Sequence, residues 1–151
     1  DTMRMESGFL HWGHDISPEE NQYQAGLNFP ISFKKNVNFI GKDALLKIKD
    51  QKQTKRIVAL SIKDNKPGNP LLLHYEPIYL ENKIIGHTTS GNYSFNYNKN
   101  LSFGYIDTEL SNTELLNKNL YIEVGKNKYP ALLEIKSLKN KSSKFTNKYI
   151  D

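Results

Sequence analysis

The sequence predicts an α+β fold that is mainly β. A short helical and strand segment occupies residues 1–50, and about six antiparallel strands form a small barrel or sandwich from residue 56. Three observations carry that expectation. Short runs rich in branched and aromatic residues recur from residue 56 onward, separated by turn chemistry and with no helical spacing between them. The hydrophobic period changes once, across the polar connector Asp50–Lys55. The 151-residue chain, 37% hydrophobic, suffices for one modest core.

The elements follow in order. Asp1 or Thr2 caps a short helix carrying Met3, Met5 and Glu6, which Gly8 ends. "AGLNFPISF", Ala25 to Phe33, alternates small or polar with apolar residues and reads as a strand, with Pro30 limiting its hydrogen bonding. "NFIGKDALLKIKD" sets Phe39, Ile40, Ala44, Leu45 and Ile48 at helical spacing behind Asn38 as cap. Strands are expected at Arg56–Lys63, Glu76–Leu80, Lys83–Thr89, Leu101–Ile106, Leu120–Val124 and Tyr129–Ile135. Glu81 and Asn82 make a tight hairpin turn, and "VGKNKYP" makes a longer one.

Composition narrows the function. The formal charge of +5 is carried almost wholly by dispersed lysine, with Arg4 and Arg56 the only arginines, so no nucleic-acid partner is expected. The densest basic stretch, Lys136–Lys148, reads as a solvated tail. No apolar run is long enough to cross a bilayer and no basic-then-apolar leader opens the chain, so no membrane partner and a cytoplasmic location are expected. The absence of cysteine excludes disulfides, thiolate metal sites and cysteine nucleophiles.

The candidate chemistry is sparse. His11 and His14 lack a third ligand at a familiar spacing, so no metal is expected. His87 and Ser90 fall on opposite faces of a regular strand and do not make a nucleophile pair. "FIGKDAL" lacks the run of backbone amides a phosphate loop needs, which leaves Lys42 on the surface. Glu6, near a helix end and ahead of an aromatic residue, suits a planar amidine-like edge such as the N3 and 2-amino donors of a pterin; the alternative is an exposed or Arg4-paired acid. Trp12 suits either a core or inter-domain anchor or a stacking platform. No catalytic residue is assigned.

Taken together, "DTMRMESGFLHWGHDIS", "QAGLNF", "NFIGKDAL", "RIVALSI", "EPIYLENKIIGHTTSGNYSF" and "LSFGYI" resemble, in the same order, the C-terminal part of the glycine-cleavage T-protein (aminomethyltransferase) superfamily. The likeness is greatest to the folate-binding half of dimethylglycine and sarcosine dehydrogenases. It implies that residues 1–50 are the end of a folate-binding region and residues 56–135 a C-terminal β-barrel; residues 136–151, beyond the resemblance, are by composition a flexible basic tail. It also implies that the chain is a fragment whose main partner is the missing N-terminal region of the same protein. The cofactor implied is tetrahydrofolate, with FAD only in that missing region if the parent is a dehydrogenase.

In such a parent the N-methyl group of a methylated glycine is oxidised to an iminium, which the folate captures shielded from water. The resemblance assigns the pterin-contacting glutamate to Glu6, the aromatic six positions later to Trp12, and a basic residue near the folate tail to Lys34 or Lys35. Gln22 and Gln24 replace a proline and a glutamate of the family pattern, and Tyr149 in the divergent tail is not assigned a role. The aspartate that the family places near the reactive folate nitrogen lies upstream of Asp1, so the fragment alone is expected to be inactive. Rival readings are a stand-alone aminomethyltransferase or folate-dependent demethylase, and a non-catalytic interaction module. The related iron-sulfur and tRNA proteins carry a "KGCYxGQE"-type motif whose cysteine this chain lacks.

Overall fold

The computed structural model describes residues 1–35 and 37–134. In order along them lie α1 (Thr2–Ser7), α2 (Lys42–Ile48), β1 (Lys55–Ile62), β2 (Pro77–Leu80), β3 (Lys83–Ser94), β4 (Lys99–Asp107), α3 (Asn112–Leu115), β5 (Leu120–Val124) and β6 (Asn127–Glu134). The strands pair antiparallel and close into a barrel in the order β1-β4-β3-β2-β5-β6. Closure is made by Ala59–Ile62 of β1 against Ala131–Glu134 of β6.

Strand alternation decides which side chains fill the barrel. Val58, Leu60 and Ile62 turn inward to meet Ile78, Ile85, Ile106, Leu120, Ile122 and Leu133, and each such buried aliphatic side chain contributes about 1.5–3 kcal/mol. The intervening Ile57 and Ala59 point outward and pack with Leu101 and Phe103 of β4 under Met5 and Leu10. Strand β4 is therefore buried on both faces, by the barrel core inside and by the N-terminal segment outside.

The outer layer departs from expectation at two places. Ala25–Phe33 is not a strand; residues 22–26 form a turn. The Ala25, Gly26 and Leu27 N–H groups donate to the carbonyls of Asn21, Tyr23 and Gln22, in a turn held by the Asn21 and Gln24 side chains, so local bonds take the groups a ladder needs. Helix α2 starts behind Gly41, not Asn38, whose side chain instead accepts from its neighbour's N–H. Phe39 and Ile40 thus stay outside the helix and exposed, and Leu45 is its one buried residue.

The barrel differs in detail. Strand β3 runs on to Ser94 because a bulge between Thr88 and Ser90 lets pairing with β4 resume. Gly125 and Lys126, both left-handed, join β5 to β6 in a two-residue turn, not a longer loop. Between β4 and β5 lies the unanticipated α3, begun by a capping box in which Ser111 and Glu114 exchange hydrogen bonds. Ile135 and the basic tail at 136–151, with Tyr149, fall outside the described residues.

Candidate functional site

Helix α1 is six residues long, far too short to be stable alone, so tertiary contacts must fix it. Three successive residues do so. Met5, 3% exposed, enters the cluster over Leu101 and Phe103. Arg4 and Glu6 leave the helix on either flank of Met5, about 100° away on each side.

Glu6 is 4% exposed. Its Oε1 accepts from Ser94 Oγ at 2.5 Å and its Oε2 from Asn96 Nδ2 at 3.0 Å. It is neither solvated nor paired with Arg4. Both partners are neutral, and among the described residues no cation comes within ion-pair distance of this carboxylate. A buried carboxylate held only by neutral donors retains acceptor capacity and favours a further, preferably cationic or amidine-like, donor.

Arg4 turns the other way, to a knot centred on Asp15, which is 1% exposed. Asp15 Oδ2 accepts from Arg4 Nη1 at 2.7 Å and the His11 N–H at 2.9 Å; its Oδ1 accepts from Thr89 Oγ1 at 2.5 Å and Ser90 Oγ at 2.7 Å. Arg4 Nη2 also donates to Ser90 Oγ at 2.8 Å. Burying this ion pair is costly, and the full set of charge-assisted bonds offsets the cost. The β3 bulge makes the arrangement available, because it turns two consecutive hydroxyls toward one carboxylate.

The same bulge corrects the alternation argument for His87 and Ser90. They pair with Tyr105 and Phe103, which share a face of β4, so both lie on one side of the sheet. They still do not pair with each other: Ser90 is engaged by Asp15 and Arg4, and the His87 ring stacks on Tyr75 at 5.6 Å. His11 and His14 stack at 4.6 Å, and among the described residues no group of three His, Cys, Asp or Glu side chains is placed to hold a metal.

Trp12 sits in the loop beyond α1, 67% exposed, in a bridge with Ile16, so it is not a core residue. Lys34 and Lys35 lie in an exposed bend. Among the described residues no hydrogen bond or ion pair joins either lysine to Glu6 or Trp12; Glu6 stands on α1, Trp12 in the loop that follows and the lysines in a later bend.

Below the Asp15 knot, the Lys55 ammonium pairs with Glu20 at 2.9 Å and lies 5.1 Å from the Tyr105 ring centre. Burial pushes the Glu20 carboxyl up, but hydrogen bonds from Ser17 and the Lys55 charge outweigh it and hold the group below the ordinary glutamate value. The Tyr105 phenol is pushed up by burial and by the negative charges of Glu20 and Asp15. Its hydroxyl has no hydrogen-bond partner among the described residues.

Asp15, Thr89, Ser90, Ser94 and Asn96 were not expected from the sequence. The hydroxyl-rich run Thr88–Ser90 was the available signal, but a regular strand would send its side chains to alternate faces.

Residues 55–137 match the glycine cleavage T-protein C-terminal barrel domain. The chain belongs to that family. This T-protein barrel chain is 36% identical over 126 residues to mitochondrial dimethylglycine dehydrogenase of Mus musculus, covering 78% of the chain and 14% of the relative. It is equally 36% identical, over 106 residues, to an aminomethyltransferase of Symbiobacterium thermophilum, covering 70% of the chain and 27% of the relative. The glycine cleavage system aminomethyltransferase T of Bartonella henselae shares the fold, with a TM-score of 0.73 at 20% identity over 89% of this chain and 36% of that one. The chain thus spans well under half the length of these relatives. No helix among the described residues is long and apolar enough to cross a membrane.

Proposed function

We propose that this T-protein barrel chain supplies one wall of a tetrahydrofolate cavity in a one-carbon enzyme of the dimethylglycine or sarcosine dehydrogenase type. The observation that carries the reading is the Glu6 carboxylate, buried, held by two neutral donors and without a cationic partner among the described residues. In this reading its remaining acceptor positions take the N3 and 2-amino donors of the pterin, a planar pair matching a carboxylate. Trp12 offers an exposed ring for contact with the cofactor, and Lys35 an ammonium for the carboxylates of its tail. Tetrahydrofolate, when bound, accepts the one-carbon unit released from the substrate.

The region that completes the cavity lies, in this reading, upstream in the same protein. Support comes from the apolar side chains the first fifty residues leave uncovered, among them Met3, Phe9, Trp12, Val37 and Ile40. A stand-alone aminomethyltransferase is the second reading, favoured by identity to such an enzyme as high as that to the dehydrogenase. An upstream flavin domain in the complete reading frame selects the first reading, and its absence selects the second.

The test is calorimetric titration of 5-formyltetrahydrofolate, a reduced folate, into the protein encoded by the complete reading frame. Replacing Glu6→Gln is expected to weaken binding about ten-fold or more, the worth of a charged hydrogen bond. Unchanged affinity in a variant with native circular dichroism overturns the assignment.

A further inference from the structure

We infer that Asp15 is a positioning residue for the proposed folate contacts, holding both the helix that carries Glu6 and the loop that carries Trp12 against strand β3. The inference rests on the folate reading above. Two groups proposed to touch the cofactor come from different local structures, a short helix and a loop, neither of which is rigid by itself. Asp15 is where they join. One of its oxygens takes both the Arg4 guanidinium, from α1, and the His11 N–H, from the residue before Trp12. The other takes Thr89 and Ser90, from the bulge of β3.

The geometry shows why one anchor would not suffice. Met5 fixes how deeply α1 sits, but a single apolar contact leaves a short helix free to roll about its axis. On one flank Arg4 is tied through Asp15 to Ser90; on the other Glu6 is tied to Ser94, about 13 Å further along the same strand. With Thr2 Oγ1, which donates to the Tyr93 carbonyl at 3.3 Å, these tethers on one strand remove the roll. They help determine which way the Glu6 oxygens face, and of the two carboxylates paired with Arg4, Asp15 is the buried one that also binds the strand. Arg4 is further aligned by the Phe9 carbonyl at 3.1 Å and by Asp1 at 2.8 Å.

The loop is set by the same group. The His11 N–H donates to Asp15 while the His11 carbonyl accepts from the Asp15 N–H at 2.8 Å, closing the turn on which Trp12 stands. Loss of the Asp15 charge therefore loosens both cofactor contacts without removing either. This separates a positioning residue from one that touches the ligand.

The experiment is a double-mutant cycle in the protein of the complete reading frame, with 5-formyltetrahydrofolate titrated into wild type, Asp15→Asn, Glu6→Gln and the double variant. Asp15→Asn keeps the shape and removes the charge; it is expected to weaken binding about ten-fold. In the Glu6→Gln background the same change is expected to weaken binding clearly less, because the contact it orients is already gone. A ten-fold loss of equal size in both backgrounds overturns the inference, since Asp15 then acts independently of the Glu6 contact it is inferred to orient. So does wild-type affinity in Asp15→Asn when Glu6→Gln itself binds weakly.

Should Asp15→Asn not fold, Ser90→Ala and Thr89→Val each remove one donor from Asp15, and the cycle is run with them. A loss of several-fold that shrinks in the Glu6→Gln background supports the inference, and no loss, or an equal one in both backgrounds, overturns it. If Glu6→Gln binds as wild type, the folate reading fails, and this inference with it.

Discussion

At the scale of single residues, the outer face of β1, β3 and β4 carries buried polar groups whose members respond differently to change. Glu20 is held below the ordinary glutamate value through Ser17 and Lys55 despite burial. The folded state therefore binds a proton less readily than the unfolded one, so its contribution is complete above the unfolded pKa and is lost as pH falls through the lower, folded one. Thermal melts from pH ~6 to ~3 should show declining stability, with a shallower decline in Glu20→Gln. Tyr105 makes the opposite case. Its buried hydroxyl lacks a partner among the described residues, so Tyr105→Phe removes a desolvated group and is expected to leave the melting temperature unchanged or raise it. A drop of several degrees would show that the hydroxyl is bonded.

At the scale of elements, close approach and capping set what each tolerates. A Cβ on Gly86 would lie 1.8 Å from the Tyr105 carbonyl oxygen, so β3 and β4 cannot keep their register around any side chain there. Gly86→Ala is expected to cost about 3 kcal/mol or more in urea unfolding. Ser111→Ala, which opens the capping box of α3, should cost about 1 kcal/mol by the same measurement. How much was legible follows from the same distinction. Strand β5 came out at its observed bounds because Leu120–Val124 alternates cleanly and turns flank it, and α1 because Gly8 ends it. The strand expected at Ala25–Phe33 failed because the Ala25, Gly26 and Leu27 N–H groups bond to carbonyls just upstream, in a turn held by the Asn21 and Gln24 side chains, a competition that hydrophobic spacing does not register. The box at Ser111 and Glu114 was present as S-x-x-E but lay in a stretch read for its strands. For the candidate site, Glu6 and Trp12 were visible as residue types; Asp15 was not, because its role depends on a bulge about seventy-five residues away that has no signature in one sequence.

At the scale of the whole molecule, a closed barrel with a filled interior carries an N-terminal layer that is anchored by polar knots yet leaves large apolar side chains in solvent, Ile40 among them. The 151-residue chain by itself is expected to show no saturable binding of 5-formyltetrahydrofolate. A micromolar dissociation constant, about −8 kcal/mol, would show that the cavity needs nothing further. Its sedimentation should also reveal an average mass that grows with concentration, and Phe9→Ser with Ile40→Ser should reduce that growth. Pairing of β1 with β6 has one more result. Every described strand has a neighbour on each side over part of its length, so no whole strand is left as an edge for another polypeptide to extend by β-augmentation. A partner docking here meets mainly side chains, and closure gives the barrel less of the edge-to-edge stacking through which open sheets seed fibrils.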